Sequence, residues 1–347
     1  MAHIENILRD KVFLFPKQTS VSDVESEILS LILEQENISG TNKPTLVDSG
    51  DDYDSYKVLS PDGPLLLKVS LDDAYTGFQE EKKMLWLTEH LNLAPKTLGC
   101  GELNFGSKIP YLITTYENAY SVNELGKSIL MANYKDCLKK IHALHQIKIK
   151  EPTLKHKIEQ ALARTKFQEP EFKELLEKDG YNFRLLKEEF SGAREYILDS
   201  FRESFSGDSL CHGNINPSTL LLGPFDIKLI NWQNSFAANP LIDLANLRFE
   251  FEFDEAFEFI LFNYYNSLDP KYKWEDYLAA RNFLSALKLM DYTYSYIKEI
   301  YLFNNQRAEK MLKIFSGFCR NIRFFEHIPG FAKNREEIIH LFGKPMI

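Results

Sequence analysis

The chain has 347 residues, 44% of them hydrophobic and 26% charged. That is a globular balance, large enough for one two-lobed domain or two ordinary ones, and it excludes a disordered chain. A formal net charge of −9 argues against a nucleic-acid partner, because that binding rests on neutralising phosphates with lysine and arginine.

In chain order, apolar residues at helical spacing (Val24, Ile28, Leu31, Ile32) predict a helix over Ser22–Leu33, inside a helical N-terminal extension, 1–40. The period then changes. Tyr53–Leu59 and Leu65–Val69 read as strands joined by the turn Ser60-Pro61-Asp62-Gly63-Pro64. Phe78–Leu91 reads as a helix, and Thr97–Leu103 and Tyr111–Thr115 as two further strands. From Tyr134 the pattern is helical, beginning with Tyr134–Ile147 and a charged stretch over 150–205. Short strand signals at Leu220–Leu222 and Ile227–Ile230 interrupt it, and helices resume after Pro240. The expected architecture is α+β: a small antiparallel sheet with one helix in residues 1–117, then a large helical lobe over 118–347 that carries a polar hairpin, 210–232. Cys100, Cys137, Cys211 and Cys319 form no CxxC pair and read as reduced thiols. No run of about 18 apolar residues occurs, so the expectation is a soluble, cytoplasmic protein without a membrane partner.

The informative stretch is Cys211-His212-Gly213-Asn214-Ile215-Asn216-Pro217-Ser218-Thr219-Leu220-Leu221-Leu222, followed by Leu229-Ile230-Asn231-Trp232. It resembles the catalytic hairpin of the aminoglycoside phosphotransferase and choline kinase family, H-G-D-x-x-x-x-N and then I-D-[WF]. The tail Asn239-Pro240-Leu241-Ile242-Asp243-Leu244-Ala245-Asn246-Leu247 resembles that family's N-P-x-x-D-L-A-N segment. Leu138-Lys139-Lys140-Ile141-His142-Ala143-Leu144 is similar to its L-x-x-L-H-x-L helix. The resemblance implies a protein-kinase-like fold, with ATP and magnesium as cofactors. It implies nucleotide contacts from Gly50 and Ser55 of the loop Asp48–Ser55, from Lys68 in Leu66-Leu67-Lys68-Val69, and from Tyr116 in the hinge. Placing Trp86-Leu87 on the family's W-L selects Glu80 as the partner of Lys68, with Glu81 as the alternative. His212 is implied to structure the loop, and Asp243 to act structurally at a helix N-terminus.

The residues that should carry phosphoryl transfer are replaced. The base position is Asn214, and an amide accepts no proton at neutral pH. The metal-ligand positions hold Thr219 and Asn231, whereas magnesium prefers hard, charged oxygens. The phosphate loop contains one glycine and four aspartates, which would disfavour a triphosphate if they faced the cleft. Asp208, Asp226 and Asp243 are the nearby carboxylates that could substitute. The stretch from Phe249 to Glu258 alternates aromatic and acidic residues; it reads either as a pocket for an amine or as an amphipathic helix with its carboxylates in water.

The favoured reading is a pseudokinase with impaired Mg-ATP chemistry, retaining a cleft for a small ligand (a nucleotide, or a hydroxylated or amine-bearing metabolite) or for a protein partner. The alternatives are an active kinase of a small metabolite and a non-catalytic interaction protein with a closed cleft.

Overall fold

A computed structural model describes residues 23–39, 44–49, 52–70, 72–164, 183–201, 203–223 and 226–302, with Asn321, Arg323, Phe325, Glu326, Ile328 and Phe331. The chain groups into two compact units, Met1–Ile147 with Asn214–Ser235, and Lys148–Gly213 with Phe236–Ile347. Among the described residues no helix is long and apolar enough to cross a membrane.

The first unit is built on an antiparallel five-stranded sheet of order β1-β2-β3-β5-β4. Its strands are β1 (Thr45–Ser49), β2 (Asp54–Ser60), β3 (Gly63–Val69), β4 (Thr97–Phe105) and β5 (Ser107–Thr115). The β2–β3 turn closes at Gly63, whose φ of 119° suits only a residue without a Cβ. Helix α1 (Asp23–Gln35) lays Ile28, Leu29, Ile32 and Leu33 on one sheet face, against Tyr56, Val58, Leu65, Leu67, Val69, Tyr111 and Ile113. Successive side chains alternate across a strand, so Lys68 and Leu66 point to the opposite face. On that face lies α2 (Gly77–Thr88), which buries Phe78, Glu81, Met84, Leu85 and Thr88. The spacing of these residues is that of one helical stripe. A 3-10 turn over Glu89–Leu91 follows and stops at Asn92 in the left-handed region, so the predicted helix Phe78–Leu91 is this pair of elements.

Beyond the sheet come β6 (Tyr120–Ser121) and the one-turn helix α3 (Val122–Leu125). The Ser121 side chain accepts from the Glu124 N–H while the Glu124 carboxylate accepts from the Ser121 N–H, a capping box. Helix α4 (Lys127–His145) begins seven residues earlier than its heptad-like signal at Tyr134 suggested, because Ile129 and Leu130 are buried as well. Strands β8 (Leu220–Leu222) and β9 (Ile227–Leu229) form the expected short hairpin, and β8 also pairs with β6, in the order β6-β8-β9.

The second unit contains α5 (Leu154–Arg164), α6 (Phe183–Ser200), α7 (Leu241–Phe251), α8 (Glu255–Leu268) and α9 (Trp274–Leu302), with β7 (Ser209–Cys211) paired to β10 (Phe236–Ala238). The stretch Phe249–Glu258 is not one amphipathic helix, although Glu252, Asp254 and Glu255 are exposed as that reading expected. It is the junction of α7 and α8, broken by Glu252 at φ 53° and restarted by Asp254, whose side chain caps the Phe257 N–H at 2.8 Å. Phe249, Phe251, Phe253 and Phe257 are all buried. Glu258 is buried too, and accepts hydrogen bonds from Tyr277 Oη at 2.8 Å, Arg281 Nη1 at 3.1 Å and Arg248 Nε at 3.3 Å. Glu250 pairs with Lys288. These aromatic rings and carboxylates build the helical core.

Candidate functional site

Lys68 sits in the middle of the sheet, paired across the ladders with Ser55 of β2 and Leu112 of β5. It is only 3% exposed. Its ammonium donates to Glu81 Oε1 at 2.8 Å and Oε2 at 3.0 Å, and to Asn231 Oδ1 at 2.9 Å. An ammonium has three N–H donors and no acceptor; one is shared between the two oxygens of Glu81 and a second goes to Asn231.

The partner is therefore Glu81, not Glu80. Helical phase is the physical reason: Glu81 falls on the same stripe as Phe78, Leu85 and Thr88, whereas Glu80 is exposed. Aligning on Trp86 misled, since Trp86 is 71% exposed and carries no packing constraint. The burial stripe itself was the signal in the sequence that favoured Glu81.

Asn231, two residues past the end of β9, holds φ 65°, ψ 63°, a left-handed geometry that asparagine tolerates better than most residues. This conformation aims its amide oxygen at Lys68 and starts the 3-10 turn Trp232–Asn234. Trp232 is fully buried; its N–H reaches Glu81 Oε1 at 3.3 Å and its indole N–H donates to the Leu229 carbonyl at 2.8 Å. Glu81 thus ties β3, α2 and the end of the hairpin together. The charges of Lys68 and Glu81 cancel, and Asn231 adds none.

Thr219 is buried and turned into its own loop. Its hydroxyl accepts from the Asn216 N–H at 2.9 Å and donates to the Asn214 carbonyl at 2.8 Å. The Asn216 carboxamide oxygen accepts from the Ser218 and Thr219 N–H groups at 2.8 and 3.1 Å, and its amide donates to Asn214 Oδ1 at 3.1 Å. The loop from Asn214 to Thr219 is thereby a closed set of side-chain-to-backbone bonds. Asn214, Thr219 and Asn231 are all neutral oxygen ligands, and each of the three directs its oxygen at a protein partner.

Within the second unit, His212 and Asp243 are both fully buried. Asp243, in the first turn of α7, accepts from the His212 N–H at 2.7 Å and the Gly213 N–H at 2.9 Å. Such charge-assisted bonds to a carboxylate are among the strong ones. Asp243→Ala would strip two backbone donors of their acceptor and is expected to cost about 3 kcal/mol. Thermal denaturation checks this; an unchanged midpoint would show that the loop is held by other means.

The other candidate residues are placed as follows. Ser55 is buried in the ladder beside Lys68. Tyr116 is half-buried; its N–H donates to the Pro64 carbonyl at 2.9 Å and Lys57 Nζ lies 4.1 Å from its ring centre. Gly50 and Asp51 lie outside the described residues, while Asp48 and Asp52 of the same loop are exposed. Asp208 is exposed and bonded to Lys148 at 2.7 Å, which holds its carboxyl below the usual range. Asp226 is engaged by Asn92 at 2.5 Å and stands 3.4 Å from Lys228 and 3.6 Å from Lys140. Among the described residues, Glu81 is the carboxylate bonded to Lys68.

Two residues that sequence reasoning did not single out complete the lysine's surroundings. The Tyr53 ring centre lies 5.2 Å from Lys68 Nζ, and the Tyr53 hydroxyl accepts from Gln233 Nε2 at 3.2 Å. Burial, and then the nearby Glu81, push the Tyr53 phenol upward, so it stays neutral. No motif marks either residue; only the folded backbone brings them together.

No protein-family model matches the sequence, and no curated protein does. Solved structures do match. A thermostable mutant of aminoglycoside phosphotransferase APH(4)-Ia superposes with a TM-score of 0.58 at 14% identity, over 85% of this chain and 97% of that one. Spectinomycin phosphotransferase APH(9)-Ia, solved with ADP and spectinomycin, gives a TM-score of 0.60 at 11% identity over 86% and 94%. Choline kinase LicA from Streptococcus pneumoniae gives 0.58 at 16% identity over 85% and 99%. The chain has the protein-kinase-like fold of the aminoglycoside phosphotransferases and choline kinase.

Proposed function

We propose that this protein is a pseudokinase of the aminoglycoside phosphotransferase and choline kinase type: it keeps the fold for binding a small ligand or a partner, and its Mg-ATP phosphoryl transfer is impaired. The observation that carries this reading is the neutral set Asn214, Thr219 and Asn231, whose side-chain oxygens are engaged by protein partners. Phosphoryl transfer needs the lysine at position 68 on the nucleotide's phosphates and metal ions bridging them. Here the ammonium donates to Glu81 and Asn231, at 2.8 to 3.0 Å. The amide at 231 serves the lysine as an internal acceptor, where a metal-binding carboxylate would be needed for catalysis. Thr219 supports the same reading, since its hydroxyl is already engaged within the loop on both its donor and acceptor sides. The base position is an amide, which forgoes a contribution typically worth about 10²–10⁴ in rate. Lys68 and Glu81 then act as a clamp between sheet and helix.

Nucleotide is the first ligand class to test, because structural neighbours were solved with ADP, AMP and AMP-PNP. The experiment is a thermal-shift titration with ATP, with magnesium and with EDTA. A shift of similar size in both conditions, or none in either, is expected. A shift that appears only with magnesium would overturn the proposal.

A further inference from the structure

Three elements surround Lys68 on its α2 side, and Tyr53 touches all of them. Tyr53 immediately precedes β2, on the β2 side of the turn from β1. Its ring packs edge-on against Phe78 of α2, with centres 5.3 Å apart, and lies 5.9 Å from Tyr75. Tyr75 and Phe78 in turn pack at 4.8 Å, so the tyrosine is held by a small aromatic cluster. Its hydroxyl reaches across to Gln233, two residues past Asn231. In kinases the first sheet turn covers the phosphates, the β3 lysine contacts them, and the residue at position 231 of this fold binds their metal. Tyr53 spans those three features.

Its ring centre is 5.2 Å from Lys68 Nζ. A phosphate oxygen bonded to the ammonium would sit about 2.8 Å from Nζ. On the Tyr53 side that oxygen would fall well inside van der Waals contact with the ring.

We propose that Tyr53 and Gln233 form a latch over Lys68, and that Tyr53 is the residue that excludes polyphosphate from this site while leaving phosphate-free ligands unaffected. The inference deepens the pseudokinase reading and rests on it for the site's identity. It adds a steric gate to the altered metal positions: even without any metal, a nucleoside diphosphate meets the ring before it meets the lysine.

The test uses ADP and adenosine as probes, in EDTA, with calorimetry on the full chain. Tyr53→Ala is expected to tighten ADP binding at least tenfold over the unaltered protein, with adenosine binding unchanged. Tyr53→Phe keeps the ring but gives up the acceptor for Gln233, and Gln233→Ala removes the other half of the bond. Each is expected to raise ADP affinity by a few-fold. Equal ADP affinity in the unaltered protein and in every variant would overturn the latch, as would a gain of the same size for adenosine. Should Tyr53→Ala fail to fold, Gln233→Ala and Tyr53→Phe decide the matter by the same criteria. No magnesium is present, so this outcome is independent of the magnesium-dependence test: a latch that fails here leaves the metal argument standing, and the reverse holds too.

Discussion

Replacing Glu81 with alanine is expected to destabilise the protein by about 3–5 kcal/mol, the cost of leaving a buried charge without its partner. Lys68 and Glu81 are 3% and 2% exposed, so water cannot take over the missing role. The substitution also removes the acceptor of the Trp232 N–H, which adds a further unsatisfied donor. Glu81→Gln should fall between, because it keeps an acceptor for lysine and backbone while losing the charge. Glu80→Ala, one residue away on the exposed side of α2, is expected to change stability by less than about 0.5 kcal/mol. Urea unfolding followed by tryptophan fluorescence measures all three variants. If Glu80→Ala proves the more damaging, the assignment of the clamp to Glu81 is wrong.

Restoring the replaced chemistry should restore magnesium dependence. In Asn214→Asp, Thr219→Asn, Asn231→Asp, a carboxylate returns to the base position, and a carboxamide and a carboxylate return to the two metal-ligand positions. A carboxylate about 4 Å from a cation contributes ~1 kcal/mol per unit charge even when fully solvated. The one at 231, facing a divalent ion, contributes about 2 kcal/mol on that scale, so Mg-dependent nucleotide binding should strengthen by at least about tenfold. The same change gives Lys68 a second anionic neighbour in place of the Asn231 amide oxygen. Thr219→Asn carries a separate cost, because the Thr219 hydroxyl closes the loop through Asn216 and Asn214. Asn214→Asp with Asn231→Asp alone is the cleaner comparison, and it should retain most of the gain. Calorimetric titration with ATP at varied magnesium reads both. If neither variant binds Mg-ATP more tightly than the unaltered chain, the altered ligand set is not what limits binding, and the Tyr53 ring becomes the first suspect.

The fold could be read from the sequence because its signals are local and ordered. Leu65, Leu67 and Val69 alternate on β3 as a half-buried strand should, and the structure seats all three against α1. The hairpin that follows Gly213 announced itself by two short aliphatic runs around a turn. The short strands β1, β6, β7 and β10 were not legible. A segment of two to five residues has too few positions to show a period, and it becomes a strand only when a neighbour supplies the hydrogen bonds.

The candidate site divides along the same line. Residue chemistry at Asn214, Thr219 and Asn231 is a property of the sequence alone: neutral side chains stand there whatever the fold does. The identity of the glutamate was half legible, since the burial stripe of α2 pointed to Glu81 while a short motif match pointed to Glu80. What the carboxylates of 249–258 do could not be read at all, because their partners Arg281 and Lys288 lie more than twenty residues further on.

Sequence by itself determined which atoms are present at the site: one lysine, one glutamate, and amides and a hydroxyl in place of two aspartates and an asparagine. Tertiary structure decided what those atoms face. It placed the Asn231 oxygen on Lys68, turned Thr219 into its own loop, and brought Tyr53 and Gln233 together from 180 residues apart. The reason is physical. Charge and hydrogen-bonding capacity belong to a residue, whereas the partners an ammonium finds depend on distances that exist only once β3, α2 and the end of the hairpin have packed.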